Sequence, residues 1–294
     1  MTKGAAMLDR DGYPPGVPCW IDTTQPDPDA AVRFYGGLFG WEFEDRMPSD
    51  APGNYFVGRL HDRDVAAVGS PMEGGPPMPV WNTYIAVDSA DDAAAQVAKS
   101  RGATLAEPFD VLEAGRMAVF ADPSGAVFSV WQAKQHKGAQ LVNEAGSWNF
   151  SDLNTRDVEA ALAFYGDVFG WVAGSVEGAG MEFTFLRLPG YGDFLEKRDP
   201  DLRARQDEIG APPGFEDVVA GMMPMTSDRF PDEVPPHWSV TFAVDDADAS
   251  AARATDLGGT LVAPPLDAGP TRIAVVQDPQ GAVFTVSKFD PDRL

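Results

Sequence analysis

The 294-residue chain has a single cysteine, Cys19, so no disulfide can form within it and a reducing compartment is the simpler expectation. Histidine is nearly as scarce, with three: His61 in the charged turn LHDRD, His136 in the link QHKG, and His237 just after Pro235-Pro236. That scatter favours loop and surface roles over a histidine metal centre. Only His237, ahead of an alternating stretch, is a candidate for hydrogen bonding at a cavity rim. Basic residues number 22 against 45 acidic ones, a formal net charge of −23. Such a surface repels phosphate backbones and anionic membranes, and no basic stripe offsets it, so neither nucleic acid nor membrane is an expected partner. No apolar run approaches the roughly 20 residues that span a bilayer, and the opening MTKGAAMLDRDGYPPG has no signal-peptide core. A cytoplasmic location is expected. HExxH, CxxC, glycine-rich phosphate loops and GxSxG elbows are all missing, which leaves dinucleotide use and serine-hydrolase chemistry without support.

What the chain does have is a repeat. FYGGLFGW at 34–41 returns as FYGDVFGW at 164–171, which sets Tyr35 and Tyr165 130 positions apart. DPSGAVFSV from Asp122 returns as DPQGAVFTV from Asp278, 156 positions on. The growth in spacing places an extra segment of about 26 residues in the second copy, near 190–215. Internal duplication of this kind predicts two domains, 15–136 and 145–291, the second carrying that insertion.

Each copy reads as two strand–helix–strands units. Asp27 is placed to cap a helix whose first turn tolerates Pro28. Ala31, Phe34 and Leu38 form one stripe that Val32, Tyr35 and Phe39 widen, and Gly40 stops it. Val158, Leu162, Tyr165 and Phe169 repeat the period before Gly170. The aromatic octapeptide is thus first a device for packing a helix on a sheet. Alanine-rich helices are expected over 90–101 and 247–257. Hairpins follow over 116–131 and 272–287, each turning on an Asp-Pro-x-Gly. Strands recurring with one helix per unit give an α+β fold, helices layered on one face of a sheet.

Strand alternation divides the side chains. Val240, Phe242 and Val244 share the helix side, as do Phe128 and Val130. The opposite face carries small or polar residues and suits either a curved sheet around a cavity or a solvated or sheet-covered surface; periodicity leaves both open. In copy one that face carries Trp20, Asp22, Asn82, Tyr84, Ser129 and Trp131. In copy two it carries Phe150, Asp152, Asn154, Ser239, Thr241 and Thr285, with His237 at the rim.

The segments PDPDAAVRFYGGLFGW, YIAVDSADDAAAQVAKSRGA and ADPSGAVFSVWQ, followed by RDVEAALAFYGDVFGW, FAVDDADASAARATDLGG and QDPQGAVFTVS, resemble the vicinal oxygen chelate superfamily of glyoxalases, bleomycin resistance proteins and dioxygenases. Within it the chain is most similar to two-domain actinobacterial glyoxalase-like proteins of the 27 kDa antigen or "hydroxylase" type. The resemblance implies tandem domains, each with paired βαβββ units forming an incomplete β-barrel around a ligand. Metal-bearing members place His, Glu or Gln at three strand positions. The matching residues here are Trp20, Asn82 and Ser129 in copy one, and Phe150, Ser239 and Thr285 in copy two. None is a usual ligand for catalytic zinc or iron, so no metal and no cofactor is expected.

The leading expectation is therefore metal-independent binding or sequestration of a small, largely apolar or aromatic metabolite. The alternative is a metal-independent biosynthetic or detoxifying enzyme with Asp22 or Asp152 as acid/base. A duplicated interaction protein with filled cavities is a third reading. Arg116 and Arg272 are expected in salt bridges to acidic neighbours before any role in binding anions. The partner is a small organic molecule. The duplication points to a monomer, with a dimer left open.

Overall fold

The computed structural model describes residues 10–71, 78–175 and 183–291; the first nine residues of the opening stretch lie outside them. In copy one the elements run β1 (Pro18–Thr24), α1 (Pro28–Phe39), β2 (Glu42–Asp45), β3 (Tyr55–Leu60), β4 (Arg63–Gly69), β5 (Trp81–Ala86), α2 (Ala90–Lys99), β6 (Ala103–Val111), β7 (Gly115–Ala121) and β8 (Val127–Ala133). Copy two follows with β9 (Trp148–Thr155), α3 (Val158–Phe169), β10 (Val172–Ser175), β11 (Thr184–Arg187), α4 (Tyr191–Glu196) and α5 (Leu202–Glu208). It ends with β12 (Val218–Pro224), β13 (His237–Ala243), α6 (Ala247–Asp256), β14 (Thr260–Ala268), β15 (Thr271–Gln277) and β16 (Val283–Phe289).

Each copy builds its own eight-stranded sheet, ordered β2-β3-β4-β1-β5-β8-β7-β6 and β10-β11-β12-β9-β13-β16-β15-β14. The first strands of the two units meet antiparallel at the centre, β1 on β5 and β9 on β13. Each then takes the last strand of its own unit as a parallel neighbour, β4 and β8 in copy one, β12 and β16 in copy two. Strand pairing therefore stays within a copy. The α+β architecture is that of tandem open, incomplete barrels.

The local chemistry of the first helices is as the residues require. Asp27 accepts from the Ala30 amide at 2.9 Å with Pro28 in the first turn, and Gly40 ends α1 at φ 75°. Asp157 and Gly170 do the same for α3. The second helix of copy one stops at Lys99, two residues short of the expected end, because Arg101 takes the left-handed conformation (φ 67°) that turns the chain into Gly102.

The helices, unlike the strands, are shared. Phe39 of α1 packs 4.7 Å from Phe242 on β13, and Phe34 lies 6.4 Å from Phe284 on β16. Reciprocally, Tyr165 of α3 sits 5.7 Å from Phe128 on β8. The repeated octapeptide thus buries its aromatics against the other copy's sheet as well as its own. Each such ring contributes roughly 1.5–3 kcal/mol. The last aromatics complete the exchange, Trp41 donating to the Gly146 carbonyl at 2.6 Å and Trp171 to that of Gly16 at 2.7 Å.

The insertion lies between β11 and β12. In copy one only His61 and Asp62 join the matching strands β3 and β4, both left-handed, as a tight hairpin demands. In copy two α4 and α5 occupy that connection, and the Gly192 amide is tied to Asp217 at 2.8 Å.

Candidate functional site

The two sheets present the same strand positions with opposite outcomes. In copy one register sets Asp22 opposite Asn82, Trp20 opposite Tyr84, and Tyr84 beside Ser129. The Asp22 carboxylate accepts three hydrogen bonds: from Asn82 Nδ2 at 2.8 Å, from the Tyr84 hydroxyl at 2.8 Å and from the Tyr55 hydroxyl at 3.0 Å. Trp20 Nε1 in turn donates to Tyr55 at 2.9 Å. Burial pushes the Asp22 carboxyl above its ordinary range, opposed by those three donors. The His136 ring closes the group, 4.4 Å from Trp20 and 5.8 Å from Trp131, and burial lowers its pKa to about 4. Trp20, Asp22, Tyr84, Ser129 and Trp131 are all at most 8% exposed. Gly115 is required because a Cβ there would fall 2.4 Å from the Trp131 ring. Side chains fill this face and satisfy its carboxylate.

Copy two keeps the register and gives its aspartate other neighbours. Asp152 faces Ser239, Asn154 faces His237, and Phe150 faces Thr241, which neighbours Thr285. Asn154 Nδ2 donates to Ser239 Oγ at 3.0 Å, so those two polar groups hold each other. Asp152 Oδ1 is sealed from solvent and has no hydrogen-bond partner among the described residues. Burial pushes the carboxyl up to about 7, with the Thr241 side chain pulling the other way. Where Asp22 meets two tyrosines, Asp152 meets rings. Phe183 and Phe185 lie 5.2 Å apart, with Phe150 6.3 Å and Phe215 5.3 Å from Phe185, and all four are only half-buried. Gly221, opposite Asp152 on β12, makes room for both: a Cβ there would lie 2.1 Å from Asp152 Oδ1 and 2.4 Å from the Phe183 ring. His237 holds the Pro235 carbonyl through Nδ1 at 2.8 Å, 6.2 Å from Phe230, and burial lowers its pKa.

Tyr55, Phe183, Phe185 and Gly221 escaped the reading of strand faces. They lie on the third and fourth strands of their units or just before them, and no repeated motif marks those strands. Gly221 did carry a signal, since an isolated glycine in a strand marks a close approach. Arg116 and Arg272 are structural: each grips a helix aspartate with two nitrogens, Asp91 at 2.9 and 3.0 Å and Asp248 at 2.9 Å.

The donor set does not suit a tightly held divalent cation. At the three strand positions copy one offers an indole whose N–H is already donated, an amide bound to Asp22, and a hydroxyl. Copy two offers a phenyl ring and two hydroxyls. No cluster of three His, Cys, Asp or Glu suited to a metal occurs among the described residues. No helix among them is long and apolar enough to cross a membrane.

Residues 20–130 match the model of the glyoxalase/bleomycin resistance protein/dioxygenase superfamily, and residues 150–287 match that of a glyoxalase-like domain. CFP32 of Mycobacterium tuberculosis (strain CDC 1551 / Oshkosh), which bears a glyoxylase name, is 39% identical over 292 residues, covering 98% of this chain and 100% of its own. The anthracycline biosynthesis protein DnrV of Streptomyces peucetius is 34% identical over 293 residues, covering 93% and 94%. Among solved structures, the Mn(II)-bound glyoxalase of Novosphingobium aromaticivorans superposes with a TM-score of 0.57 at 17% identity, over 95% of this chain and 85% of that one. The 2,3-dioxygenase LapB of Pseudomonas sp. KL28 does so at 0.56 and 11%, over 97% and 94%. At that identity the two structures speak for the fold alone. The family models and the full-length relatives show that this chain belongs to the glyoxalase/bleomycin resistance protein/dioxygenase superfamily.

Proposed function

We propose that the protein binds a small, largely aromatic metabolite at the Asp152 face of copy two, without a metal, and that copy one is the filled, supporting half. The observation that carries this is the buried Asp152 Oδ1, without a partner among the described residues, which with Phe183 of a cluster of four half-buried phenylalanines flanks Gly221. Apolar rings offer a flat guest its contact area, and a single unsatisfied oxygen fixes its pose. A carboxyl with a pKa near 7 donates to a guest carbonyl when protonated and accepts from a guest hydroxyl when ionised. The anthracycline biosynthesis relative is consistent with a polycyclic guest.

The same pKa favours a second reading, a metal-independent enzyme in which Asp152 moves a proton to or from the bound ring system. One experiment separates the readings. EDTA-stripped protein is titrated with 1-hydroxyanthraquinone, followed by visible absorbance, while mass spectrometry follows the probe with time. Saturation without change of the probe is the expected result. A time-dependent product abolished in Asp152→Asn favours the enzyme, and failure to saturate, or equal affinity in Asp152→Asn and Gly221→Ala, overturns the site.

A further inference from the structure

A separate cavity of about 270 Å³ lies beside β9, roofed by the insertion and walled by the segments that precede β1 and β9. Tyr13, Trp148, Phe150, Tyr191 and Phe215 give it aromatic walls. Asp152, Ser239, Thr241 and Thr285 do not line it, so it shares with the face described above only the rings of Phe150 and Phe215.

Two donors on its wall lack acceptors among the described residues. The chain has seven tryptophans. Six donate their indole N–H to a named oxygen: Trp20, Trp41, Trp81, Trp131, Trp171 and Trp238. Trp148, 5% exposed, lines the cavity, and its Nε1 is buried without a partner. Arg10 Nε on the same wall is likewise buried and unpartnered. A buried donor left unmade costs about 1–3 kcal/mol, so two on one cavity wall point to acceptors that arrive from outside.

Charge on the wall is matched except at Arg10. Asp199 is paired with Arg205, Glu216 with Arg203 at 3.2 Å, and Arg198 with Asp11. Arg10 lies over the rings of Tyr13 and Tyr191, at 5.8 and 6.0 Å, and reaches no carboxylate within ion-pairing distance among the described residues. The guanidinium interacts with the Tyr191 hydroxyl and, through space, with Asp199, while its Nε keeps no partner among the described residues.

We infer that this cavity is a second ligand site, which takes a compact aromatic carboxylate or a similar acceptor-bearing ring, its oxygens met by Trp148 Nε1–H and the Arg10 guanidinium. Flat walls select the ring, and a guanidinium without a close ion-pair partner among the described residues selects an anion over a neutral or cationic analogue.

The test uses the full chain and 2-naphthoate as probe, with the seven indole N–H signals read by ¹⁵N NMR and assigned through space in the wild-type protein. The Trp148 signal is expected to move to saturation while the other six stay within a fraction of its shift. Arg10→Leu and Trp148→Phe are expected to weaken binding about tenfold or more, the loss of a charge-assisted or buried hydrogen bond. Asp152→Asn is expected to leave the affinity unchanged. A Trp148 signal that does not move, wild-type affinity in Arg10→Leu, or loss of binding in Asp152→Asn overturns the assignment. Should Trp148→Phe fail to fold, the wild-type signal and Arg10→Leu decide the matter between them.

Discussion

Tyr35 of the first copy donates its hydroxyl hydrogen to Asp278 Oδ2 of the second at 2.8 Å, and Tyr165 returns the contact to Asp122 at 3.2 Å. Gln25 adds a second cross-copy donor to Asp278 at 2.7 Å, and Trp81 uses the Tyr35 oxygen as its acceptor at 3.2 Å. The two most recognisable repeats in the sequence, the FY pair and the Asp-Pro turn, are thus the two ends of one hydrogen bond. Duplication without both ends would leave the buried phenol with no acceptor for its hydrogen and the carboxylate one donor short.

Removing the donor should therefore cost stability across the copies. Tyr35→Phe is expected to lose about 1–3 kcal/mol in urea unfolding, and a cycle with Asp278→Asn should show coupling of similar size. Because the helices are shared, fluorescence and far-UV circular dichroism should report a single coincident transition.

Gly221→Ala should be worse than an ordinary glycine replacement in a strand. The new methyl would collide with Asp152 Oδ1 and the Phe183 ring, at 2.1 and 2.4 Å. Overpacking of that kind costs about 1–3 kcal/mol. Calorimetry should show the loss, and 1-hydroxyanthraquinone should bind at least about tenfold more weakly.

The Asp152 carboxyl carries a pH signature whose sign is fixed. Its folded pKa of about 7 lies above the ordinary value of 3.8, so its contribution to stability is fully present below pH 4 and is lost as pH rises through 7. Asp152→Asn should match wild type near pH 4 and exceed it increasingly towards pH 8, by on the order of 2 kcal/mol or more. Denaturation at a series of pH values measures this. A variant advantage that grows towards acid would contradict it.

Asp22→Asn should be destabilising where Asp152→Asn is not, although burial raises both carboxyls. The three donors to Asp22 are arranged for a carboxylate, and Asp22→Asn turns an amide hydrogen towards at least one of them. A stability loss of about 1–3 kcal/mol is expected. Affinity for 1-hydroxyanthraquinone should stay at the wild-type value.

Much of this was legible in the residues. Caps, helix stripes and Asp-Pro turns are local, so Asp27, Gly40 and Asp122 announced their roles through short-range chemistry. The alternating strands correctly grouped Trp20, Asp22, Asn82 and Tyr84 on one surface. The difference between the copies was not legible, because it depends on partners far away in sequence. Tyr55 reaches Asp22 from β3 and His136 leans on Trp20 from beyond β8, while β11 gives copy two phenylalanines instead. The sharing of helices was equally hidden, since an amphipathic stripe says that a face is buried and not against which sheet.

The most direct check is the side-chain carboxyl ¹³C signal of Asp152, assigned by its absence in Asp152→Asn, during titration of EDTA-stripped protein with 1-hydroxyanthraquinone. The expected result is a saturable displacement of that signal at one probe per chain, with the Asp22 signal unmoved. Displacement at Asp22 with Asp152 silent, or binding that needs added manganese, iron or zinc, would contradict a guest site formed by copy two alone.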